Sequence, residues 1–331
     1  MRQARDVGDI VSRPPTTGDV VRIYRWDLDK TYLDTDFRSI RGLVRSATEP
    51  AVAKRAVPGA TQLMRALCAD DQARIFILSG SPVQMREVLS EKLRLDGIRY
   101  EQLTLKDSLR HLRKGQVRAI LGQFGYKLPA LFRSRAGLGR AARETLFGDD
   151  AEVDAVVYSV YADAVAGRLS PAQVSRIMEA AGAYPEHIDG ALEALSRLST
   201  VEAVERIFIR MEKGRAPERF EPLGTRVIPL FSWLQGALVL MEAGHIDGAA
   251  AWRVMETVIR QERLDSWSVV GLCQDIVRRG HLSAKAIDQV EGPRELVAKC
   301  RAGIDALGVV EATLRPSAPA NVDYLEIFRQ W

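Results

Sequence analysis

Short apolar runs alternate with amphipathic stretches through the first half of the chain, a pattern that predicts a parallel sheet with helical crossovers. Val20-Val21-Arg22-Ile23-Tyr24-Arg25-Trp26 predicts a first strand ending at Asp27. Pro58-Gly59 opens a helical pattern through Leu63, Leu67 and Cys68. Ala73-Arg74-Ile75-Phe76-Ile77-Leu78 predicts a second strand, stopped by Ser79-Gly80-Ser81-Pro82. Residues 83–95 place Met85, Val88, Leu89 and Leu93 at helical spacing. Residues 98–105 predict a third strand and 144–147 a fourth, ended by Gly148-Asp149-Asp150.

From about residue 151 the pattern predicts helices only. Gly167-Arg168-Leu169-Ser170, Gly244-His245-Ile246-Asp247 and Gly280-His281-Leu282-Ser283 share one design. In each, Gly suits the end of one helix, and Ser or Asp three residues later suits the N-cap of the next. Their uneven spacing makes this a recurring helix–turn–helix device rather than a solenoid. His245 and His281 sit inside these turns, where capping or turn roles are expected of them. The most apolar window, 227–241, falls short of the ~20 residues a membrane-spanning helix needs and is expected to be a buried helix. The fold class expected is therefore α/β, a parallel sheet at 18–166 followed by an all-α C-terminal domain at 167–314. A linker and tail follow at 315–331.

Composition adds to this picture. Hydrophobic residues make up 47% and charged ones 27% of the 331 residues, the balance of a globular protein. The net charge of +4 hides an asymmetry: residues 1–166 hold 27 basic and 21 acidic side chains, residues 167–331 hold 20 and 22. Cys68, Cys273 and Cys300 are odd in number and form no CxxC pair, which argues against a disulfide scaffold and fits a reducing compartment. The polar, mixed-charge start Met1-Arg2-Gln3-Ala4-Arg5-Asp6 carries no apolar signal segment, so a cytoplasmic location is expected.

The chemistry lies at the strand ends. In an open parallel sheet, ligands bind at the carboxyl ends of the strands. The first strand ends in Asp27-Leu28-Asp29-Lys30-Thr31, the second in Ser79-Gly80-Ser81, the fourth in Gly148-Asp149-Asp150. Clustered carboxylates repel unless a proton or cation neutralises them. Oxygen donors of this kind suit Mg²⁺, and a hydroxyl with free backbone N–H groups before a helix suits phosphate. The arrangement points to phosphoryl chemistry.

These motifs resemble, in order, those of the haloacid dehalogenase (HAD) superfamily of phosphatases. Trp26-Asp27-Leu28-Asp29-Lys30-Thr31 resembles its DxDxT motif, Ile77-Leu78-Ser79-Gly80-Ser81 its hydroxyl-bearing motif, and the stretch from Phe147 to Asp154 its acidic motif. The resemblance implies a Rossmannoid sheet and a Mg²⁺-dependent phosphomonoester hydrolase. Asp27 would be the nucleophile that forms an aspartyl-phosphate. Asp29 would be the general acid and base, needing a pKa above the free value of about 3.9. Ser79 and the Gly80 N–H would hold phosphate. The carboxylates of Asp27, Asp149 and Asp154, with the Asp29 backbone carbonyl, would hold or support the metal, Asp150 being the weaker candidate.

The same family places a lysine near the start of the helix before the last motif strand. Lys114, which opens a helical pattern through Val117, Ile120 and Leu121, is the expected residue. Lys127 has Pro129 right behind it, an awkward helix start, and Lys106 is more distant. Between Ser108 and Arg143, nine basic residues stand with no acidic one among them, either a solvated face or an approach for an anionic substrate or membrane surface. Few aromatics interleave with them, which argues against nucleic acid.

About fifty residues separate the first two motifs, too few for a large cap, so either an open site suited to a bulky substrate or a lid formed by the helical half is expected. The compact spacing, Ser79-Gly80-Ser81-Pro82, Leu105-Lys106-Asp107 and the Asp149-to-Asp154 interval are similar to the actin-patch-type phosphatidate phosphatases, which implies a lipid phosphate. Asp150 stands where that branch usually has Ser, and Lys30 where the superfamily often has Gly. The competing expectation is an inert HAD-like scaffold whose helical half binds a protein partner.

Overall fold

The computed structural model describes residues 21–35, 49–106, 119–151, 153–308, 314–319 and 321–330. Six parallel strands form one sheet: β1 (Arg22–Trp26), β2 (Ala73–Pro82), β3 (Gln102–Lys106), β4 (Arg143–Asp149), β5 (Val204–Arg210) and β6 (Val227–Leu230). Their spatial order is β3-β2-β1-β4-β5-β6. The order reverses at β1, with β2 on one side and β4 on the other. A crevice opens at such a switch point, at the carboxyl ends of the strands.

Helices cover both faces: α1 (Ala60–Leu67), α2 (Arg86–Leu95), α3 (Ala119–Arg135), α4 (Asp154–Val165), α5 (Pro171–Ala180), α6 (Pro185–Ser196), α7 (Trp233–Glu242), α8 (Gly248–Glu262), α9 (Ser266–Arg278), α10 (Arg294–Asp305) and α11 (Tyr324–Gln330). Successive strand residues point to opposite faces, and the sequence is written to that period. Trp26, Phe147 and Phe208 face the core shared with α1, α2 and α7 to α10. Leu146, Ile207 and Ile209 face the core shared with α3 to α6 and α11. The Trp26 and Phe147 rings stack 4.1 Å apart directly beneath the motif that follows β1.

The expected α/β parallel sheet is present, but the second half is not helices only. β5 pairs with β4 and β6 with β5, so the sheet runs across the expected change at residue 167. β5 escapes notice because Glu205, Arg206 and Arg210 dilute its apolar alternation. β6 is four residues long and runs into an apolar helix, so the window 227–241 reads as one element. Ser232 divides it, its hydroxyl accepting the Leu234 N–H as the N-cap of α7. Among the described residues, no helix is long and apolar enough to cross a membrane.

The repeated turn is built as the sequence predicts in two of its three occurrences. Gly167 and Gly244 take positive φ, and Ser170 and Asp247 cap the next helix through their side chains. Ser283 instead precedes a 3-10 turn and makes no side-chain cap. Residues 315–319, expected as a linker, lie against the start of β6, where the Arg226 N–H donates to the Ser317 carbonyl at 3.1 Å. Tyr324 of α11 then donates to Asp163, and Phe328 packs edge-on against Phe124.

Candidate active site

Asp27 follows β1 directly, and its N–H donates to the Phe147 carbonyl at 2.9 Å, which fixes it beside β4. Asp149 is the last residue of β4, and Asp154 is the first of α4. All three are buried, and one carboxylate oxygen from each lies within 4.8 Å of the others. Gly148 is what lets Asp154 come so close: a Cβ there would stand 2.6 Å from Asp154 Oδ2 and 2.9 Å from the Tyr158 ring. Thr31 donates to Asp149 Oδ2 at 3.2 Å, and the Ala151 N–H donates to Asp149 Oδ1 at 2.5 Å. Three carboxylates this close need positive charge among them. The donor set is oxygen only, which fits a hard divalent cation.

Lys127 supplies positive charge from the other side. It is fully buried in α3, and its Nζ donates to Asp27 Oδ1 at 2.9 Å and to Asp154 Oδ1 at 2.5 Å. Pro129 lies inside the same helix, well past its start. A helix-interior proline costs roughly 3 kcal/mol, which is why it reads as a boundary in the sequence. Lys114 lies outside the described residues. Lys106 ends β3, the edge strand two places from β1.

Asp29 is held on the other flank. Its Oδ2 accepts the Ser81 hydroxyl at 2.8 Å and the Ser79 hydroxyl at 3.2 Å, while Oδ1 accepts Thr35 at 3.2 Å. Ser79 also accepts the Ser81 N–H at 3.0 Å. This convergence comes from a bulge: Ser79 pairs with Leu105 and Pro82 with Lys106, leaving Gly80 and Ser81 outside the ladder. A bulge of this kind re-aims side chains at a sheet's end. So Ser79 and Asp29 meet, and Gly80 lies at the same turn. Lys54 is a further buried cation near Asp29; burial holds it below the ordinary lysine value, against the pull of the Glu49 and Asp29 charges.

The basic stretch is not a uniform solvated face. Besides Lys127, Arg135 is buried, donating to Glu144, which also accepts from Arg25 and Tyr161. Burial alone would raise the Glu144 pKa, but the Arg25 and Arg135 charges hold it below the usual carboxylate value. The four basic residues Arg110, Arg113, Lys114 and Arg118 lie outside the described residues.

Two features of the site's bonding have no local signature in the sequence. Lys30 adopts φ of +62°, a left-handed conformation that costs a non-glycine residue about 1–2 kcal/mol. Its carbonyl accepts Arg210, the last residue of β5, at 2.8 Å, and its Nζ donates to Glu212, just beyond that strand, at 2.8 Å. Burial opposes ionisation of Glu212, but its bonds to Lys30 and Arg210 keep its carboxyl below the ordinary value. Asp150 is the second feature: its Oδ1 accepts the N–H groups of Glu212 and Lys213 at 2.6 and 2.8 Å. It faces the loop after β5 and stands outside the trio of close carboxylates. Neither feature could be read from spacing, because β5 was not expected.

Residues 26–177 match the family model described as phosphatidate phosphatase APP1, catalytic domain, which supports a phosphatase, and so a hydrolase. The matched segment is slightly under half of the chain and holds Asp27, Asp29, Ser79, Lys127, Asp149 and Asp154. No curated protein and no solved structure matches the chain.

Proposed function

We propose that the chain is a HAD-like, Mg²⁺-dependent phosphomonoester hydrolase acting on a phosphatidate-type lipid. The observation that carries the proposal is the buried trio Asp27, Asp149 and Asp154 around Lys127, inside the segment similar to phosphatidate phosphatase catalytic domains. Asp27, Asp149 and Asp154 would hold or support the cation. When bound, Mg²⁺ supplies charge stabilisation for the phosphoryl oxygens.

In this reading an Asp27 carboxylate oxygen attacks phosphorus, and the phosphorus–ester oxygen bond breaks. Asp29 gives its proton to the departing alkoxide oxygen. A water then attacks the aspartyl-phosphate, Asp29 takes the water's proton, and phosphate leaves with Asp27 restored. The hydroxyls of Ser79, Ser81 and Thr35 orient Asp29. Lys127 holds Asp27 in one rotamer and offsets its charge as the anionic substrate approaches.

Purified protein should release phosphate from phosphatidate in mixed micelles when Mg²⁺ is present and lose that activity with chelator. Asp27→Asn should lower kcat by about 10³-fold or more, the scale of losing a nucleophile, with circular dichroism unchanged. Full activity in that variant would sink the role of Asp27. Absence of turnover by the native chain, with Mg²⁺ bound, would favour the inert-scaffold alternative.

A further inference from the structure

The loop at 211–216, beyond the family-matched segment, reaches back over the site. β5 is separated from β1 by β4, so a contact between their ends must span roughly 10 Å at ordinary strand spacing. Glu212 makes that span, its carboxylate meeting Lys30 after β1 while its N–H meets Asp150 after β4. Lys213 is fastened twice more, through its N–H to Asp150 Oδ1 and through its Nζ to the Ala151 carbonyl at 2.7 Å. Ala151 in turn donates its N–H to Asp149.

Asp150 is fully buried, and its second oxygen has no hydrogen-bond partner among the described residues. A buried carboxylate costs free energy unless its contacts repay it. Here the contacts are two consecutive N–H groups of one loop. The loop carries two cations, Lys213 and Arg215, within electrostatic reach of both Asp149 and Asp150. An ammonium has three donors, and Lys213 spends one on Ala151. Lys213 is exposed, so a ligand can reach it without unfolding anything.

We propose that loop 211–216 is the anion-binding wall of the site, with Lys213 and Arg215 taking the substrate's phosphate group and Asp150 acting as the positioning residue that holds the loop. The ligand chemistry is a phosphate group, whether carried by a lipid or by a small ester. This extension rests on the phosphomonoesterase reading for its substrate, but not for its binding test.

The full chain with Mg²⁺ is titrated with inorganic phosphate by calorimetry. Lys213→Ala and Arg215→Ala should each weaken binding about tenfold, the scale of one charge-assisted hydrogen bond. With an aryl phosphate as substrate, KM should rise by a similar factor and by more than kcat falls. Asp150→Ala should weaken phosphate binding in the same way, whereas Asp150→Asn, which keeps an acceptor oxygen for the two N–H groups, should restore most of it. Phosphatidylcholine vesicles with and without phosphatidate separate the lipid source from the free group.

Unchanged phosphate affinity in both cation variants overturns the proposal, as does a native chain that binds no phosphate. It is overturned too if only vesicle binding falls, since that marks diffuse attraction to a membrane surface. Phosphate binding that depends on Lys213 and Arg215 in a chain that hydrolyses no phosphomonoester supports the proposal while refuting the hydrolase.

Discussion

The segment that matches the phosphatase family and the segment after it are built on different physics. In the first, the strand ends gather Asp27, Asp149, Asp154 and Lys127, all buried, so its stability and its candidate chemistry depend on the same charges. In the second, the load is apolar packing of α7 to α10, with polar contacts directed back at the first. The Trp233 ring is fully buried against Trp26 and Phe147, and its indole N–H donates to the Thr31 carbonyl at 3.0 Å. Tyr24 and His245 share a hydrogen bond of 2.7 Å across the same junction. The difference teaches that the polar contacts of the second segment hold the motif after β1, while its strands extend the same sheet.

The largest effect should come from removing the charge at the centre of the first segment. Lys127→Met takes the only ammonium bonded to both Asp27 and Asp154 among the described residues and leaves those carboxylates buried. Breaking a buried pair in this way costs about 3–5 kcal/mol. Denaturant unfolding should show that loss, and Mg²⁺ should recover part of it by binding the native state. Lys114→Met should change stability far less. Equal losses from the two variants would break the assignment of Lys127 as the site lysine.

The contacts of the second segment are tested by Trp233→Phe, which keeps an aromatic ring but leaves the Thr31 carbonyl without its donor. A buried acceptor stripped of its partner costs about 1–3 kcal/mol. The loss should be accompanied by a lower kcat, because Thr31 also donates to Asp149. A loss of stability with no change in turnover would separate the two segments functionally.

The sheet was legible because strands in the first half carry short, largely apolar runs followed at once by the polar residues Asp27, Ser79 and, after Gly148, Asp149. Pro129 looks like a helix boundary beside Lys127 in the sequence, whereas α3 passes through it. β5 and β6 were missed for want of local signal: one carries charges inside its alternation, the other is too short to show a period. Everything that depends on them, including the bonds of Lys30 and Asp150 to Glu212, is a long-range contact with no signature in neighbouring residues. The Gly148 contact with Asp154 is similar, since the sequence shows the glycine but not the carboxylate lying over it.

The smallest effect concerns the two turn histidines of the second segment. Burial lowers His245 to about 4, helped by the Arg206 and Arg22 charges and opposed by Asp70. Burial likewise lowers His281 to about 4, with Arg279 adding to it and Asp275 opposing. Both groups are therefore neutral in the fold and protonate more readily once it opens. Between the ordinary value of about 6.5 and the folded value of about 4, the unfolded chain binds more protons, so stability falls as pH is lowered through that window. Above it, neither histidine contributes a pH dependence. Each can account for at most about 3 kcal/mol at the acid end, and less where water reaches the ring. His245→Gln should flatten the fall in Tm from neutral pH to the acid side, because the Tyr24 junction then carries no titrating partner. An unchanged slope in that variant would place the acid sensitivity in His281 or in the carboxylates and remove His245 from it.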